Sequence, residues 1–296
     1  MKITGKIISV TLAVILVIGM LPTSVFAEGF VIDLNDPEIV ITTTIEPQPD
    51  EEPVESPGFN VKVDNWGGSG TEDDPFTIHN RVGMENLSML SARGYSFSGI
   101  YFALDSDFSM EGVVISAQYS TVGSEGTPFA GVFDGRGHTI SGYSLEDGGN
   151  RVGLFRVVTG TVKNLNLSGS VKATNSADVG GIVGKNCGTL RNCAFSGTVS
   201  CSGGSSIVGG IAGENTGMVY QCTNYAGINN STGGNTGGVV GNSKSGNVNS
   251  CHNNGSVTGS GITGGVTAIL ENYTTSRKTI SDCTNSGTVR GTYTAD

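Results

Sequence analysis

Three stretches of this sequence repeat one pattern: VGGIVGKNCGTLRNCAFSGTV at residues 179–199, VGGIAGENTGMVYQCTNYAGI at residues 208–228 and TGGVVGNSKSGNVNSCHNNGSV at residues 236–257. Each begins with a glycine pair and two small or aliphatic residues, and carries a cysteine about thirteen residues further on. The first glycines of four such pairs stand at positions 180, 209, 237 and 264. A period near 28 residues is typical of architectures in which each unit packs on the next.

The pattern inside each unit favours β-strands. Short β-branched segments alternate with Gly-Asn-Ser clusters every eight to ten residues, and the repeats lack the spacing of an amphipathic helix. Two or three strands with their turns make one coil of a β-solenoid, and such coils stack about 4.8 Å apart. The sequence therefore predicts an all-β, parallel β-helix with coils of about 28 residues.

Stacking predicts columns of equivalent side chains. One column contains a leucine and four cysteines: Leu165, Cys193, Cys222, Cys251 and Cys283. A position that accepts both residue types is an interior apolar one, so we expect a reduced, buried ladder there and no metal site. Stacked thiols lie within bridging distance but point in parallel into the core. If a disulfide forms, Cys187 with Cys201 is the expected pair.

Polar residues also fall into columns. Asn186 is expected to stack with Asn215, and Asn224 with Asn253 or Asn254. Lys185 and Glu214 occupy the same repeat position, which predicts an exposed ion pair of little energetic value.

The quoted units resemble the GLUG-type repeats of bacterial secreted and surface proteins. GSGTEDDPFTI at 68–78, MENLSML at 84–90 and PFAGVFDGRGHTISGYSL at 128–145 are similar to the opening, the capping helix and the first full coil of such domains. The resemblance covers about residues 64–290. It implies a right-handed, pectin-lyase-like β-helix but says little about activity, since these repeats occur in adhesins, surface appendages and accessory domains of enzymes.

The segment before the repeats contains the signals of a capping element. Met84, Leu87 and Leu90 are spaced three apart among polar residues, which predicts a short amphipathic helix covering the open end of the stack. The stretch YFALDSDF at 101–108 alternates as one strand would.

The N-terminal region divides the chain into three predicted parts. Lys2 and Lys6 precede an apolar run, and Ala27 ends a small-residue site, so residues 1–27 are predicted to be a secretory signal peptide. Residues 28–63 contain several prolines, and nine acids with no base precede Ser56, which is typical of a disordered acidic linker. The β-helix domain follows at 64–296.

Candidate catalytic residues are few. The segment FDGRGH places Asp134, Arg136 and His138 at alternate positions of an extended stretch, a pattern that glycan-cleaving β-helix enzymes could use. The alternative is structural, because Gly135 and Gly137 mark a turn whose N–H groups Asp134 could bind. The repeats have few carboxylates, so we expect no enzyme, no cofactor and no metal. A formal charge of -10 also disfavours nucleic acid as a partner.

The function predicted from these features is a secreted or cell-surface interaction or adhesion module. Tyr220 and Tyr225 are its candidate ligand-binding residues, because aromatic rings on a polar stacked face pack against sugars. The expected partner is an extracellular glycan or a host or cell-surface protein, with no membrane span after signal cleavage and with end-to-end self-association as a further expectation. A glycan-active enzyme using Asp134, and a purely structural stalk, remain as alternatives.

Overall fold

The computed structural model describes residues 63, 66–111, 115–116, 121–175, 177–231, 233–271 and 279–295. The chain separates into two compact units, Met1–Pro53 and Val54–Asp296, and all described residues belong to the second. The predicted signal peptide, and the predicted linker up to residue 62, therefore lie outside the described residues.

The second unit is a parallel β-solenoid, as the repeats predict. Its described residues form about seven turns of about 29 residues and one short helix. Its strands form three sheets, here named A, B and C, and neighbouring strands of a sheet come from successive turns.

Sheet A has eight strands: Phe76–Ile78, Tyr101–Leu104, Val132–Asp134, Thr161–Lys163, Thr189–Arg191, Met218–Tyr220, Asn247–Asn249 and Ile280–Ser281. Sheet C has five strands: Phe155–Val158, Val183–Asn186, Ala212–Asn215, Val240–Lys244 and Thr267–Glu271. Sheet B has fifteen strands: Phe108–Ser109, Ile115–Ser116, Thr139–Asp147, Arg151–Val152, Asn166–Ala173, Asp178–Gly180, Ala194–Cys201, Ile207–Gly209, Thr223–Asn224, Gly227–Asn230, Thr236–Gly237, His252–Asn253, Val257–Gly264, Thr284–Asn285 and Val289–Ala295.

The glycine pairs form the sharp bend between sheets B and C. A Cβ on the first glycine of a pair would clash with the carbonyl three residues ahead, as Gly180 would with the Val183 carbonyl. A Cβ on the second would clash with one inward-facing column, since Gly181 lies against the Phe195 ring and Gly210 against the Asn224 amide. The pairs therefore recur because backbone and column leave no room for a side chain.

The column opposite the second glycines changes character along the axis. Ile140, Leu167 and Phe195 occupy it in register, and Asn224 and Asn253 continue it. The Asn224 amide donates to Asn253 Oδ1 at 2.7 Å, which confirms one of the two predicted partners. Asn224 Oδ1 also accepts from the Ala226 N–H at 3.0 Å.

A second amide ladder lies at the end of the sheet C strands. Asn186 donates to Asn215 Oδ1 at 2.8 Å, as predicted, and Asn215 donates to Ser243 Oγ at 3.2 Å. All three side chains are fully buried. Each ladder satisfies polar groups that would otherwise be unpaired in the core.

The helix Arg81–Ala92 follows the first strand of sheet A, in the place where later turns have strands of sheets B and C. Asn80 caps its N-terminus by accepting from the Gly83 N–H at 3.0 Å. Met84, Leu87 and Leu90 are buried against the core, so the predicted capping helix is confirmed.

Residues 101–108 differ from the single strand predicted. Tyr101–Leu104 belongs to sheet A and Phe108–Ser109 to sheet B. The chain turns a corner between them, where Asp105 is exposed and Ser106 donates to the His79 carbonyl.

Candidate functional site

The turn from sheet A to sheet B forms a left-handed corner in each repeat. Asn164, Asn192, Gln221 and Ser250 have φ between 52° and 53° at this corner. Each N–H donates to a carbonyl of the next turn, as Asn192 does to Tyr220 at 3.0 Å. Because the backbone is held in this way, the side chains project outward in a line parallel to the solenoid axis.

A shallow groove runs along this line of corners. We call it the corner groove, and its lining is Asn164, Arg191, Asn192, Gln221, Ser250 and His252. It has a volume of about 480 Å³ and is open to solvent. Its floor consists of amides and a hydroxyl, and the amide of Asn192 donates to Asn164 Oδ1 at 2.9 Å.

The walls of the corner groove carry Arg191 and His252. Arg191 ends a sheet A strand and is exposed, and among the described residues its guanidinium forms no ion pair. His252 lies on sheet B, where its Nδ1 contacts Thr284 Oγ1 at 2.8 Å. The other ring nitrogen of His252, Nε2, does not take part in this contact.

Asp134 lies at the N-terminal end of the same line and accepts a hydrogen bond within its own turn. It accepts from the Arg136 N–H at 2.8 Å and from the Asn164 amide at 2.9 Å, and Lys163 Nζ lies 3.2 Å from its other oxygen. Partial burial raises the pKa of Asp134, but these hydrogen bonds and the Lys163 charge outweigh it and hold the pKa below its usual value.

The other two members of that predicted trio have different partners. His138 Nδ1 lies 3.0 Å from Asp107 Oδ1, and Arg136 is an exposed corner residue with φ 49°. The geometry agrees with the structural alternative for FDGRGH, because Asp134 is engaged by Lys163 and Asn164 and His138 by Asp107.

The two tyrosines lie on either side of the corner groove. Tyr220 is half-buried on sheet A, in register with Arg191 and Asn249. Tyr225 is 56% exposed and follows the sheet B strand that pairs with His252. Neither lines the groove, so their role in binding stays a prediction.

A second group of charged residues lies between sheets B and C, and the sequence analysis missed it. We call it the ion cluster: Glu125, Arg151, Asp178, Lys185, Glu214 and Lys244. Glu214 contacts Lys244 at 2.8 Å and Lys185 at 3.5 Å, and Asp178 contacts Arg151 at 2.9 Å. Glu125 completes the cluster at 2.8 Å from Arg151.

The predicted exposed pair of Lys185 and Glu214 is thus wrong in one respect. The two residues pair across adjacent turns, but only 9% of the Glu214 side chain is exposed. The glycine bend folds sheet C back against sheet B, so Asp178 and the lysines cover the carboxylate. Burial alone would raise the pKa of Glu214. The charges of Lys244 and Lys185 lower it by more than burial raises it, so the pKa of Glu214 lies below its usual value.

Asp178 shows the opposite balance. Burial raises its pKa to about 6, although Arg151 beside it acts in the other direction, and the Glu214 charge adds to the increase.

The predicted cysteine column is present and its thiols are free. Cys193, Cys222 and Cys251 are buried and Cys283 is half-buried, below the fully buried Leu165. Each cysteine Sγ lies 3.2–3.4 Å from the carbonyl oxygen two residues earlier, at the left-handed corner. These weak hydrogen bonds distinguish cysteine from leucine at this position.

The thiols also influence one another. Contacts with Cys193 and Cys251, together with burial, raise the pKa of the Cys222 thiol well above its usual value. Cys187 is exposed and Cys201 is buried, where its Sγ lies 3.0 Å from Ser206 Oγ, so the expected pair is not bonded.

Two further findings concern the described residues alone. No three His, Cys, Asp or Glu side chains among them are grouped so that they could hold a metal ion. The one helix in this part of the chain is too short to cross a bilayer.

Sequence comparison finds relatives that match less than half of this chain. No family model matches, so membership of the GLUG-type family stays a prediction. The chain is 29% identical over 133 residues to a "Putative Gly-rich membrane protein" of Evansella cellulosilytica, covering 43% of this chain and 15% of that protein. It is 32% identical over 144 residues to "Halomucin" of Haloquadratum walsbyi, covering 46% of this chain and 2% of that protein. The chain therefore spans a small part of the length of these relatives.

A solved structure shares the fold. The crystal structure of a "putative immunoglobulin A1 protease" from Bacteroides ovatus superimposes with a TM-score of 0.64 at 23% identity, over 76% of this chain and 69% of that one. At this identity the likeness confirms the β-solenoid and carries no activity.

Sequence reasoning also missed the corner groove, although a signal for it exists. The residue before each member of the leucine and cysteine column is polar: Asn164, Asn192, Gln221, Ser250 and Asp282. These residues differ in type, so the repeat is less visible there than at the cysteines. Asn is a residue type that tolerates φ > 0, and its recurrence just before a buried position predicts an outward corner.

Proposed function

We propose that this chain is a secreted or cell-surface interaction module whose solenoid is a non-catalytic scaffold for binding. The observation that carries the proposal is the corner groove, an exposed row of amides with an unpaired arginine on its wall. The membrane and mucin names of its relatives fit a surface location. A rigid stack offers such a row at little entropic cost, because the corner backbone is fixed before a ligand arrives.

The test is binding of the full chain to an array of glycans and extracellular-matrix proteins. We expect selective binding to a small set of these ligands. Replacement of Tyr225 by Ala is expected to weaken binding to sugars while leaving the melting midpoint unchanged, because this ring is exposed. Binding to no glycan and no protein at high concentration would favour the structural stalk.

The enzyme alternative is tested on the same samples. Catalysis needs titratable groups free to act on one bond, but Asp134 is held by Lys163, Asn164 and its own turn. We expect no release of reducing ends or unsaturated products from a polysaccharide panel. Turnover that disappears in a folded Asp134→Asn variant would replace the binding module by an enzyme.

A further inference from the structure

The charge of the corner groove contrasts with that of the chain. The chain carries 26 acids and 16 bases, yet none of the six groove residues is a carboxylate. Among the described residues Arg191 forms no ion pair, and Asp134, two turns before it, is paired with Lys163. The exposed Asp282 occupies the corner after Ser250, three turns from Arg191. The groove is therefore positive at its Arg191 end.

The groove also has a regular spacing. Its corner residues come from four successive turns, so the row from Asn164 to Ser250 extends about 14 Å along the axis at about 4.8 Å per turn. Arg191 and His252 stand on opposite walls and two turns apart. A ligand that contacts both Arg191 and His252 therefore spans about 10 Å along the solenoid axis.

From these observations we infer that the corner groove binds an acidic polysaccharide, whose carboxylate or sulfate groups contact Arg191 and whose hydroxyls bond to the amides of Asn192 and Gln221. This inference rests on the proposed function and names the ligand class of the same site. Each amide supplies both donors and an acceptor, which matches the hydroxyl groups of a sugar. A guanidinium binds a planar carboxylate or a sulfate oxygen pair with two parallel hydrogen bonds.

Other polyanions fit less well. Nucleic acid carries a charge at every phosphate and is bound by several lysine or arginine side chains at once, whereas the groove has one arginine. An acidic peptide is bound by a cluster of arginines, by the exposed edge of a sheet or through an apolar anchor, and the lining of the groove, with its single arginine, offers none of these. A sugar polymer with spaced charges satisfies both the single arginine and the amide row.

The experiment measures binding of the full chain to named polymers. Polygalacturonate supplies carboxylates and dextran sulfate supplies sulfates, while dextran is the neutral control and duplex DNA and poly-glutamate represent the other classes. We expect binding to at least one acidic polysaccharide, weakened by added salt, and no comparable binding to dextran, DNA or poly-glutamate.

Two variants test the groove itself. Arg191→Gln removes the positive charge, and Gln221→Glu adds a negative one at an exposed side chain of nearly the same shape. Each is expected to weaken binding of the acidic polysaccharide about tenfold or more, since a charged hydrogen bond is lost or a like charge is introduced. Melting midpoints should stay at the wild-type value, because both side chains are exposed.

Matched controls make the same charge changes elsewhere. Arg290→Gln and Asn229→Asp alter exposed residues of sheet B outside the groove and should change affinity by about twofold or less. Equal loss in all four variants would overturn the inference in favour of a general charge effect. Selective binding to neutral glycans or proteins that ignores Arg191 and Gln221 would also overturn it while leaving the proposed function intact. Failure to bind any ligand would remove both.

Discussion

Glu214 and Glu146 differ in setting although each pairs with a lysine of a neighbouring turn. Glu214 is nearly buried and contacts two lysines, whereas Glu146 is 57% exposed and contacts Lys172 alone. Coulomb attraction is stronger where water is excluded, and loss of a buried partner leaves charges unpaired. The contribution of each pair to stability therefore depends on how far the carboxylate is buried.

The first prediction compares these two pairs. Glu214→Ala should lower the free energy of unfolding by about 2 kcal/mol, less than for a fully buried pair because Lys185 and Lys244 retain some solvent. Glu146→Ala should lower it by about 0.5 kcal/mol or less. Urea denaturation of both variants at pH 7 measures the difference. Equal effects would show that the ion cluster is solvated like an ordinary surface pair.

The second prediction concerns pH. The pKa of Asp178 is raised to about 6, against about 3.9 in an unfolded chain, so the native state keeps a proton that the unfolded state has lost. The contribution of Asp178 to stability is therefore fully present below about pH 4 and is lost as pH rises through about 6. The stability of the wild type relative to Asp178→Asn should fall by about 2 kcal/mol from pH 4 to pH 7. A difference that rises with pH would contradict this assignment.

At the scale of the element, the bend between sheets B and C depends on the glycine pair. Gly210→Ala would drive a methyl group into the Asn224 amide and the Gly238 carbonyl, and neither can move without breaking a ladder. We expect the free energy of unfolding to fall by about 3 kcal/mol. Gly126→Ala is the matched control, because a Cβ there meets nothing within 4 Å, and its effect should stay within about 0.5 kcal/mol. Thermal melts compare the two, and similar midpoints would mean that the bend tolerates a side chain.

The stacked columns were the part of the fold that the sequence could predict. A turn that repeats about every 29 residues places equivalent side chains in the same surroundings. The spacing of Cys193, Cys222 and Cys251 therefore predicts one buried column. The amide ladders of Asn186 and Asn224 follow from the same argument. In each case the residues that predict the column lie within one repeat unit, and the same pattern recurs in the following units.

The features that escaped prediction depend on contacts between different units or faces. Glu214 is buried because a bend brings Asp178 and Lys244 over it, and these residues are not equivalent positions of the repeat. The corner groove combines Arg191 of one sheet with His252 of another, two turns later. The period of the sequence does not show which faces of the solenoid meet across a corner. Neither the ion cluster nor the corner groove could therefore be predicted without the geometry of the turns.

At the scale of the whole molecule, the first and the last described turns differ. The helix Arg81–Ala92 covers the first turns, and the core beneath it is aromatic, with Phe133 and Phe155 in an edge-to-face contact at 5.4 Å. In the last described turn, by contrast, the strands Ile280–Ser281 and Thr284–Asn285 pair on one side only within the described residues. Exposed strand edges favour pairing with another chain.

The fourth prediction follows from this asymmetry. The 296-residue chain should associate as its concentration rises, and because the helix covers the first described turns, assembly through the last described turn should stop at two copies related by a two-fold axis. Analytical ultracentrifugation over a wide concentration range is the measurement. Thr284→Lys, which places a charge at the outer edge, should shift the equilibrium towards the monomer. A monomer at every concentration would contradict the prediction.

The in-register columns have a consequence for how such a chain changes length. Because Phe195 and Asn224 are equivalent positions, a gain or loss of one complete unit between them joins residues whose backbone paths already coincide. Every glycine still faces its column and every corner still faces its neighbour, provided that the change is a whole turn. Gene-level duplication or deletion can therefore alter the length of the molecule in steps of one turn without redesigning its core, whereas a one-residue insertion inside a strand would move the rest of that strand out of its columns.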